Sequence, residues 1–137
     1  MKVFLDTNVL ASGLATRGLC YDVVRTVFEF HALVISEGLI NELERILRDK
    51  FDLPEEAIID AVWLVRQDSL VGTEIPHLKI SIKDRDDIPI ISAAINGGAE
   101  VLVTGDSEIQ ALNKCGRMKI MSPRQYWEAI RGMGSAR

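Results

Sequence analysis

The stretch Met1-Lys2-Val3-Phe4-Leu5-Asp6-Thr7-Asn8 decides the fold. Its residues Val3 to Leu5 form a short continuous apolar run, which is typical of a parallel strand buried on both faces. The run ends abruptly at the carboxylate of Asp6. Ligands of open α/β sheets bind at the carboxyl ends of the strands, so Asp6 is a candidate site residue. Asp is also a favoured N-cap, and taken alone this residue is better explained as a helix cap.

The composition indicates one domain. The chain has 137 residues, of which 47% are hydrophobic, and this is enough for a substantial core. No apolar run approaches the roughly 20 residues of a membrane span, and no signal-peptide pattern precedes the first strand. We therefore expect a cytoplasmic protein. Cys20 and Cys115 lie far apart without CxxC neighbours, and we interpret both as reduced, partly apolar side chains.

The charge is unevenly distributed along the chain. The formal net charge is -4, which argues against a nucleic-acid partner. From Lys114 to Arg137, however, six basic residues face one acidic residue, Glu128. A basic C-terminal segment beside an acidic body would suit a phosphate-bearing substrate held next to a metal site, although ordinary surface charge explains the same pattern.

Apolar runs and helical spacing alternate along the chain. Beyond the first strand, further strands are predicted at residues 32–35, 69–75, 100–104 and 118–121, with the one at 69–75 near an edge of the sheet. Between them, a short helical turn is predicted at 9–13 and helices at 21–30, 37–50, from 54, 90–96, 108–113 and 123–131. This order predicts a three-layer α/β/α sandwich with a central, mostly parallel sheet of about five strands. We assign residues 1–131 to a single domain and residues 132–137 to a frayed C-terminal tail.

Several acids are expected at one edge of this sheet. Asp106 follows the strand at 100–104, and Asp87 lies directly before a helix, where its carboxylate either caps or points into a site. On the helix at 37–50, Glu42 and Glu44 lie on opposite borders of the apolar stripe, and periodicity does not choose between them. Carboxylates that share a pocket repel one another unless a cation binds them, and oxygen-rich clusters suit Mg²⁺ or Mn²⁺.

Other chemistries lack their motifs. His31 ends a helix, where a structural role is favoured, and His77 lies in a loop without an obvious partner. There is no GxSxG, Walker A or GxGxxG pattern. A haloacid-dehalogenase-type phosphatase would need Asp-x-Asp, but residue 8 is Asn.

Four motifs in this order resemble the PIN domain family. They are Val3-Phe4-Leu5-Asp6-Thr7-Asn8, the 36–47 stretch with Asn41-Glu42-Leu43, Asp84-Arg85-Asp86-Asp87-Ile88-Pro89-Ile90-Ile91, and Val103-Thr104-Gly105-Asp106. The likeness extends over nearly the whole chain. It is greatest to the single-domain, VapC-like toxins of toxin–antitoxin systems, which are metal-dependent ribonucleases.

The resemblance implies a role for individual residues. Asp6, Glu42, Asp87 and Asp106 match the catalytic acids that bind one or two Mg²⁺ or Mn²⁺ ions, which favours Glu42 over Glu44. Asn8 and Thr104 match polar positions around the site, and Ser107 could assist in the same way. Because residues 84–87 are rich in acids, Asp84 or Asp86 could replace Asp87, and Asp84 is otherwise expected beside the site.

The function that follows from the resemblance is endonucleolytic hydrolysis of RNA. Arg17, Lys83 and Arg85 are candidates to hold the RNA backbone, against the alternative of solvated surface charge. A homodimer silenced by a cognate antitoxin is implied as well. The alternative is a PIN fold that binds RNA or protein without nuclease activity, because fold does not guarantee function.

Overall fold

The computed structural model describes residues 1–76 and 87–135, with side chains up to residue 132. Six strands form one sheet: β1 (Lys2–Leu5), β2 (Ala32–Ile35), β3 (Leu70–Val71), β4 (Val101–Val103), β5 (Lys114–Cys115) and β6 (Met118–Met121). Their order across the sheet is β3-β2-β1-β4-β6-β5. All neighbouring strands are parallel except β5 and β6, which are antiparallel.

The described residues form seven helices, which complete a three-layer α/β/α fold. They are α1 (Thr7–Ala15), α2 (Leu19–Phe30), α3 (Glu37–Asp49), α4 (Glu55–Arg66), α5 (Ile88–Asn96), α6 (Ser107–Gln110) and α7 (Pro123–Ser135). The predicted fold class is therefore confirmed. None of the helices in the described part of the chain is both long enough and apolar enough to cross a membrane.

The centre of the sheet is formed by β1 and β4, as their apolar sequences indicate. Val3, Phe4 and Leu5 have no exposed surface, and β4 is buried along its whole length. In a parallel sheet covered by helices on both faces, strands lose contact with water on both sides, so continuous apolar runs are required there. The register pairs Leu5 with Val103, which brings the carboxyl ends of the two strands side by side.

Helix α3 follows the prediction closely. Ser36 is its N-cap and accepts a hydrogen bond from the Leu39 amide at 3.0 Å. The apolar stripe predicted from periodicity is buried in the core, as expected for an amphipathic helix. Its buried residues are Leu39, Ile40, Leu43, Ile46 and Leu47.

Several element boundaries differ from the predictions. The short turn predicted at 9–13 is wrong, since α1 is a nine-residue helix, and the edge strand predicted at 69–75 has only two residues, Leu70–Val71. Strand β5 is not predicted from the sequence, because its two residues are too few to show the apolar pattern of a strand. It pairs with β6 through a turn at Gly116, whose φ of 60° suits glycine. Helix α6 begins at Ser107, and α7 extends past the predicted end at Arg131 to Ser135.

Two side-chain predictions can be compared with the structure. Cys20 and Cys115 are half-buried free thiols, and burial raises the pKa of both. His31 is the C-cap of α2 and makes an edge contact with the ring of Tyr126, as expected for a structural role. The loop predicted around His77 and at 80–83 lies outside the described residues.

Candidate active site

The carboxyl ends of β1 and β4 bring Asp6 and Asp106 together through one side chain. Thr104, which is fully buried, donates a hydrogen bond from Oγ1 to Asp6 Oδ2 at 2.7 Å. The same oxygen accepts a hydrogen bond from the Asp106 amide at 3.0 Å. One hydroxyl therefore fixes the two acids relative to each other.

Asp6 is both a helix cap and a buried acid. Its Oδ1 accepts a hydrogen bond from the Thr7 amide at 2.7 Å, and only 9% of the residue is exposed. Burial raises the pKa of the carboxyl group above its usual value. The hydrogen bonds from Thr104 and Thr7 act in the opposite direction, whereas the negative charges of Asp106 and Glu42 raise the pKa further. A cation nearby would stabilise the ionised form of this carboxyl group.

Asp106 is held by the helix that it begins. Its Oδ1 accepts hydrogen bonds from the amides of Glu108 at 2.8 Å and Ile109 at 3.2 Å, in the first turn of α6. Gln110 in turn donates from Nε2 to the Thr104 carbonyl at 2.7 Å. The segment from Thr104 to Gln110 is thus held together by hydrogen bonds between its own residues, and these restrict rotation of the Asp106 carboxylate.

The other two acids come from α3 and α5. Glu42 lies on α3, half-buried, and its carboxylate pairs with the guanidinium of Arg45, whose Nε donates to Oε2 at 3.2 Å. Asp87 is the N-cap residue of α5, but its side chain makes no capping hydrogen bond to that helix. Of the two roles left open for Asp87, capping is therefore not the one that its side chain performs.

All four acids line one cavity of about 500 Å³. Asn8 lines it too, as predicted, whereas Glu44 is absent from the lining residues, so the geometry favours Glu42. The cavity lies where the carboxyl ends of β1 and β4 meet the first turns of α3 and α5. The described residues that line it are Asp6, Thr7, Asn8, Gly38, Leu39, Glu42, Glu74, Asp87, Pro89, Ile90 and Asp106.

A family model described as PIN domain matches residues 2–108 of this chain. The chain belongs to the PIN domain family. Among solved structures, the fold of this PIN domain is similar to that of a chain in the crystal structure of VapBC2 from Rickettsia felis bound to a DNA fragment from their promoter. The TM-score is 0.60 at 15% sequence identity, over 89% of this chain and 98% of that chain. No curated protein matches the chain.

The remaining predicted site residues of the PIN domain are placed less centrally. Ser107 is the first residue of α6, exposed, and not among the residues that line the cavity. The guanidinium of Arg17 lies 5.3 Å from the centre of the Tyr21 ring and is likewise not part of the lining. The other candidates, Lys83, Asp84, Arg85 and Asp86, lie outside the described residues.

One acid of the cavity, Glu74, is not among the residues predicted from the sequence. It follows β3, which was predicted to extend to residue 75, so Glu74 was assigned to the interior of a strand. In the structure β3 ends at Val71, and Glu74 lies beyond its carboxyl end. The rule that identified Asp6 and Asp106 would have identified Glu74 if the strand had been assigned its true length.

The donor atoms of the cavity fit a hydrated hard cation. All acidic groups offer carboxylate oxygens, which Mg²⁺ and Mn²⁺ prefer. Within 1–76 and 87–135, no three His, Cys, Asp or Glu side chains are close enough together to form a ready-made metal cluster. Mg²⁺ does not require one, because it commonly keeps several waters and binds through one or two carboxylates.

Two other cavities, of about 400 and 410 Å³, lie towards the amino ends of β1 and β4. The acidic residue in their linings is Glu100, whose Oε2 already accepts a hydrogen bond from the Lys2 amide at 2.8 Å. Arg117 and Lys119 of the basic C-terminal segment lie in this region and do not line the acidic cavity. Among the described residues, Glu100 is thus the single carboxylate that these cavities offer, against five in the cavity at the carboxyl ends of β1 and β4.

Proposed function

We propose that this PIN domain is a divalent-metal-dependent endoribonuclease that hydrolyses RNA phosphodiester bonds and is the toxin of a type II toxin–antitoxin pair. The observation that carries the proposal is the convergence of Asp6, Glu42, Asp87 and Asp106 on one cavity in a chain of this family. Each acid comes from a different segment, and Glu42, which lies inside α3, is not a helix cap.

The four acids would hold one or two Mg²⁺ or Mn²⁺ ions. When bound, such an ion lowers the pKa of a water molecule and offsets negative charge on the phosphodiester. The protein's contribution is to orient the acids beforehand. Asp6 is held by Thr7 and Thr104, and Asp106 is held by the first turn of α6. Arg45 shares the carboxylate of Glu42, so it would compete with a cation for that side chain.

Substrate binding is proposed for Asn8, which lines the cavity, and for three basic residues elsewhere in the chain. Asn8 is exposed there, and its amide group could donate to a phosphate oxygen or orient a water. Lys83, Arg85 and Arg17 are the candidates for contacts with the RNA backbone, because such contacts supply most of the affinity without sequence specificity.

A homodimer and a cognate antitoxin belong to the same proposal. The similar fold in VapBC2, a protein bound to promoter DNA in its crystal structure, supports a toxin–antitoxin context. A basic side chain of an antitoxin, inserted among the acids, would neutralise the charge that otherwise attracts a cation.

The experiment is to incubate the protein with structured and unstructured RNAs in the presence of Mg²⁺, Mn²⁺ or EDTA, beside the variant Asp6→Asn. We expect cleavage that chelation stops and that Asp6→Asn lowers by about 100-fold or more, since metal assistance contributes several kcal/mol. Asp60→Asn is the matched control, because Asp60 is exposed on α4 and does not line the cavity. It should cleave like the wild type.

Two results would change the conclusion. Cleavage that survives EDTA or Asp6→Asn would contradict a metal-dependent nuclease. Specific retention of an RNA that is never cut would instead favour the alternative, a PIN fold that only binds RNA. Sequencing the ends of the products identifies which RNA is cut and where.

A further inference from the structure

Glu74 is placed by a segment whose path is tightly fixed. After β3, the Gly72 amide donates a hydrogen bond to the Ile35 carbonyl at 2.8 Å. A Cβ at Gly72 would overlap the carbonyl oxygen of Ala93 on α5, so the backbone can pass this point only because the residue is glycine. The segment therefore lies directly against α5 before it reaches Glu74.

Asn96 then holds the residues on both sides of Glu74. Its Nδ2 donates to the Thr73 carbonyl at 2.8 Å and to the Ile75 carbonyl at 3.1 Å. The same nitrogen lies 3.2 Å from Thr73 Oγ1. One side chain at the end of α5 thus fixes the backbone that carries Glu74, although Glu74 itself is exposed.

The carboxylate of Glu74 is bound to the first turn of α3. Its Oε2 accepts a hydrogen bond from the Gly38 amide at 2.9 Å. A Cβ at Gly38 would overlap this carboxylate, so the absence of a side chain at Gly38 makes the contact possible. Glu37 does not compete for the position, since it pairs with Arg66 at 2.9 Å.

The carboxylate of Glu74 lies beside a cavity that is already rich in acids. Glu74 adds a negative charge to a cavity that Asp6, Glu42, Asp87 and Asp106 already line. Like charges in one pocket oppose one another, whereas the Gly38 amide and the dipole of α3 favour a carboxylate at this position. Three residues nevertheless keep the carboxylate at the cavity. They are Gly72, Asn96 and Gly38.

We propose that Glu74 is a fifth acidic residue of the divalent-cation site, a positioning residue whose charge strengthens cation binding in the cavity. The inference rests on the proposed function. Because Glu74 Oε2 is bound to the Gly38 amide at the exposed rim, Glu74 acts on the cation by its charge and through the cation's hydration shell. The hydrogen bond to Gly38 keeps the carboxylate at the cavity and prevents it from turning to solvent.

The test measures Mn²⁺ binding to the full chain by electron paramagnetic resonance of the free ion, without RNA. Glu74→Gln keeps an acceptor for the Gly38 amide but removes the charge, and we expect it to weaken Mn²⁺ binding by about tenfold. Glu44→Gln is the matched control: it removes the same charge from α3 at a residue that does not line the cavity, and it should bind Mn²⁺ like the wild type.

A second variant tests the position rather than the charge. Gly38→Ala leaves Glu74 charged but displaces its carboxylate from the cavity, and alanine at this helical position does not weaken α3. We expect Gly38→Ala to bind Mn²⁺ more weakly than the wild type does. The double variant Gly38→Ala with Glu74→Gln should bind Mn²⁺ as tightly as the single variant with the lower affinity, because both substitutions remove the same interaction. Thermal unfolding in EDTA verifies that each variant is folded.

The outcomes separate this inference from the function on which it rests. If Glu74→Gln and Gly38→Ala bind Mn²⁺ as tightly as the wild type while Asp6→Asn does not, Glu74 is not part of the cation site and the proposed function stands. If the wild type binds no Mn²⁺, the proposed function fails and this inference fails with it.

Discussion

At the scale of single residues, Thr104 connects two acids of the site although it has no charge itself. Its hydroxyl group joins Asp6 to the backbone of Asp106, and the residue has no exposed surface. A buried hydroxyl that both donates and accepts leaves two polar groups unsatisfied when it is removed. Thr104 therefore matters for folding as well as for the orientation of the acids.

This gives a prediction for a nearly isosteric substitution. Thr104→Val removes the hydroxyl and should lower the free energy of unfolding by about 1–3 kcal/mol, because a buried carboxylate and an amide lose their partner. RNA cleavage should fall as well. The measurement is urea unfolding together with the cleavage assay.

Thr104→Ser is the control, since it keeps the hydroxyl and should retain most of both properties. A Thr104→Val protein as stable as the wild type would show that the two hydrogen bonds contribute little.

The candidate site could be predicted from the sequence where an acid follows an apolar run. Asp6 and Asp106 were found in this way, and both line the cavity. For Glu42, periodicity left a tie with Glu44, because a helix with a central apolar stripe has two equivalent borders. The direction in which a border faces depends on the neighbouring elements, which local sequence does not encode.

At the scale of elements, α1 shows how packing overrides local propensity. Gly13 lowers helix propensity and made the segment look like a short turn, yet it lies inside a nine-residue helix. A Cβ at Gly13 would lie 2.7 Å from the Cys20 carbonyl oxygen of α2. The glycine is thus required for the close approach of α1 and α2, a tertiary contact that no window of sequence reveals.

Substitution of glycine by alanine should change the free energy of unfolding in opposite directions at two positions. Gly13→Ala should lower the free energy of unfolding by about 1–3 kcal/mol, because backbone atoms of α2 must move. Gly132→Ala on α7, where no described atom lies within 4 Å of the new Cβ, should raise it by up to about 0.5–1 kcal/mol.

Chemical denaturation of both variants measures the two changes. A stabilising effect of Gly13→Ala would contradict the close packing of α1 and α2.

The elements that were predicted correctly are those with long or continuous patterns. Strands β1, β2 and β4 have uninterrupted apolar runs, and α3 has a full stripe bounded by the Ser36 cap. The short edge strands were mispredicted because their pairing with a neighbour, rather than their own composition, makes them strands.

At the scale of the whole molecule, His31 lies where three elements meet. It ends α2, contacts Tyr126 on α7, and its Nδ1 lies 3.2 Å from the amino group of Met1 before β1. Burial lowers the pKa of His31 below its usual value of 6.5, and the positive charge of that amino group acts in the same direction; Glu100 opposes them. The folded state therefore favours the neutral imidazole.

The lowered pKa of His31 makes the folded protein less stable at acidic pH. Below pH 6.5 the unfolded chain binds a proton at His31 more readily than the folded one, so this residue lowers the free energy of unfolding as the pH falls through that range. We expect urea unfolding between pH 5 and pH 8 to show this loss, and His31→Gln to reduce it.

His77→Gln is the control, because His77 is the other histidine of the chain. An unchanged pH dependence in His31→Gln would contradict the prediction.

The hydrogen bond between Thr104 and Asp6 joins residues that are 98 positions apart in the chain. During translation, strand β1 is made before its neighbour β4 and before the acid that follows β4. A nascent chain cannot close the cavity until Asp106 has left the ribosome, because the contacts that align the acids are long-range. In terms of the proposed function, a nascent chain that ends before Asp106 lacks one of the four acids that would hold the metal ion.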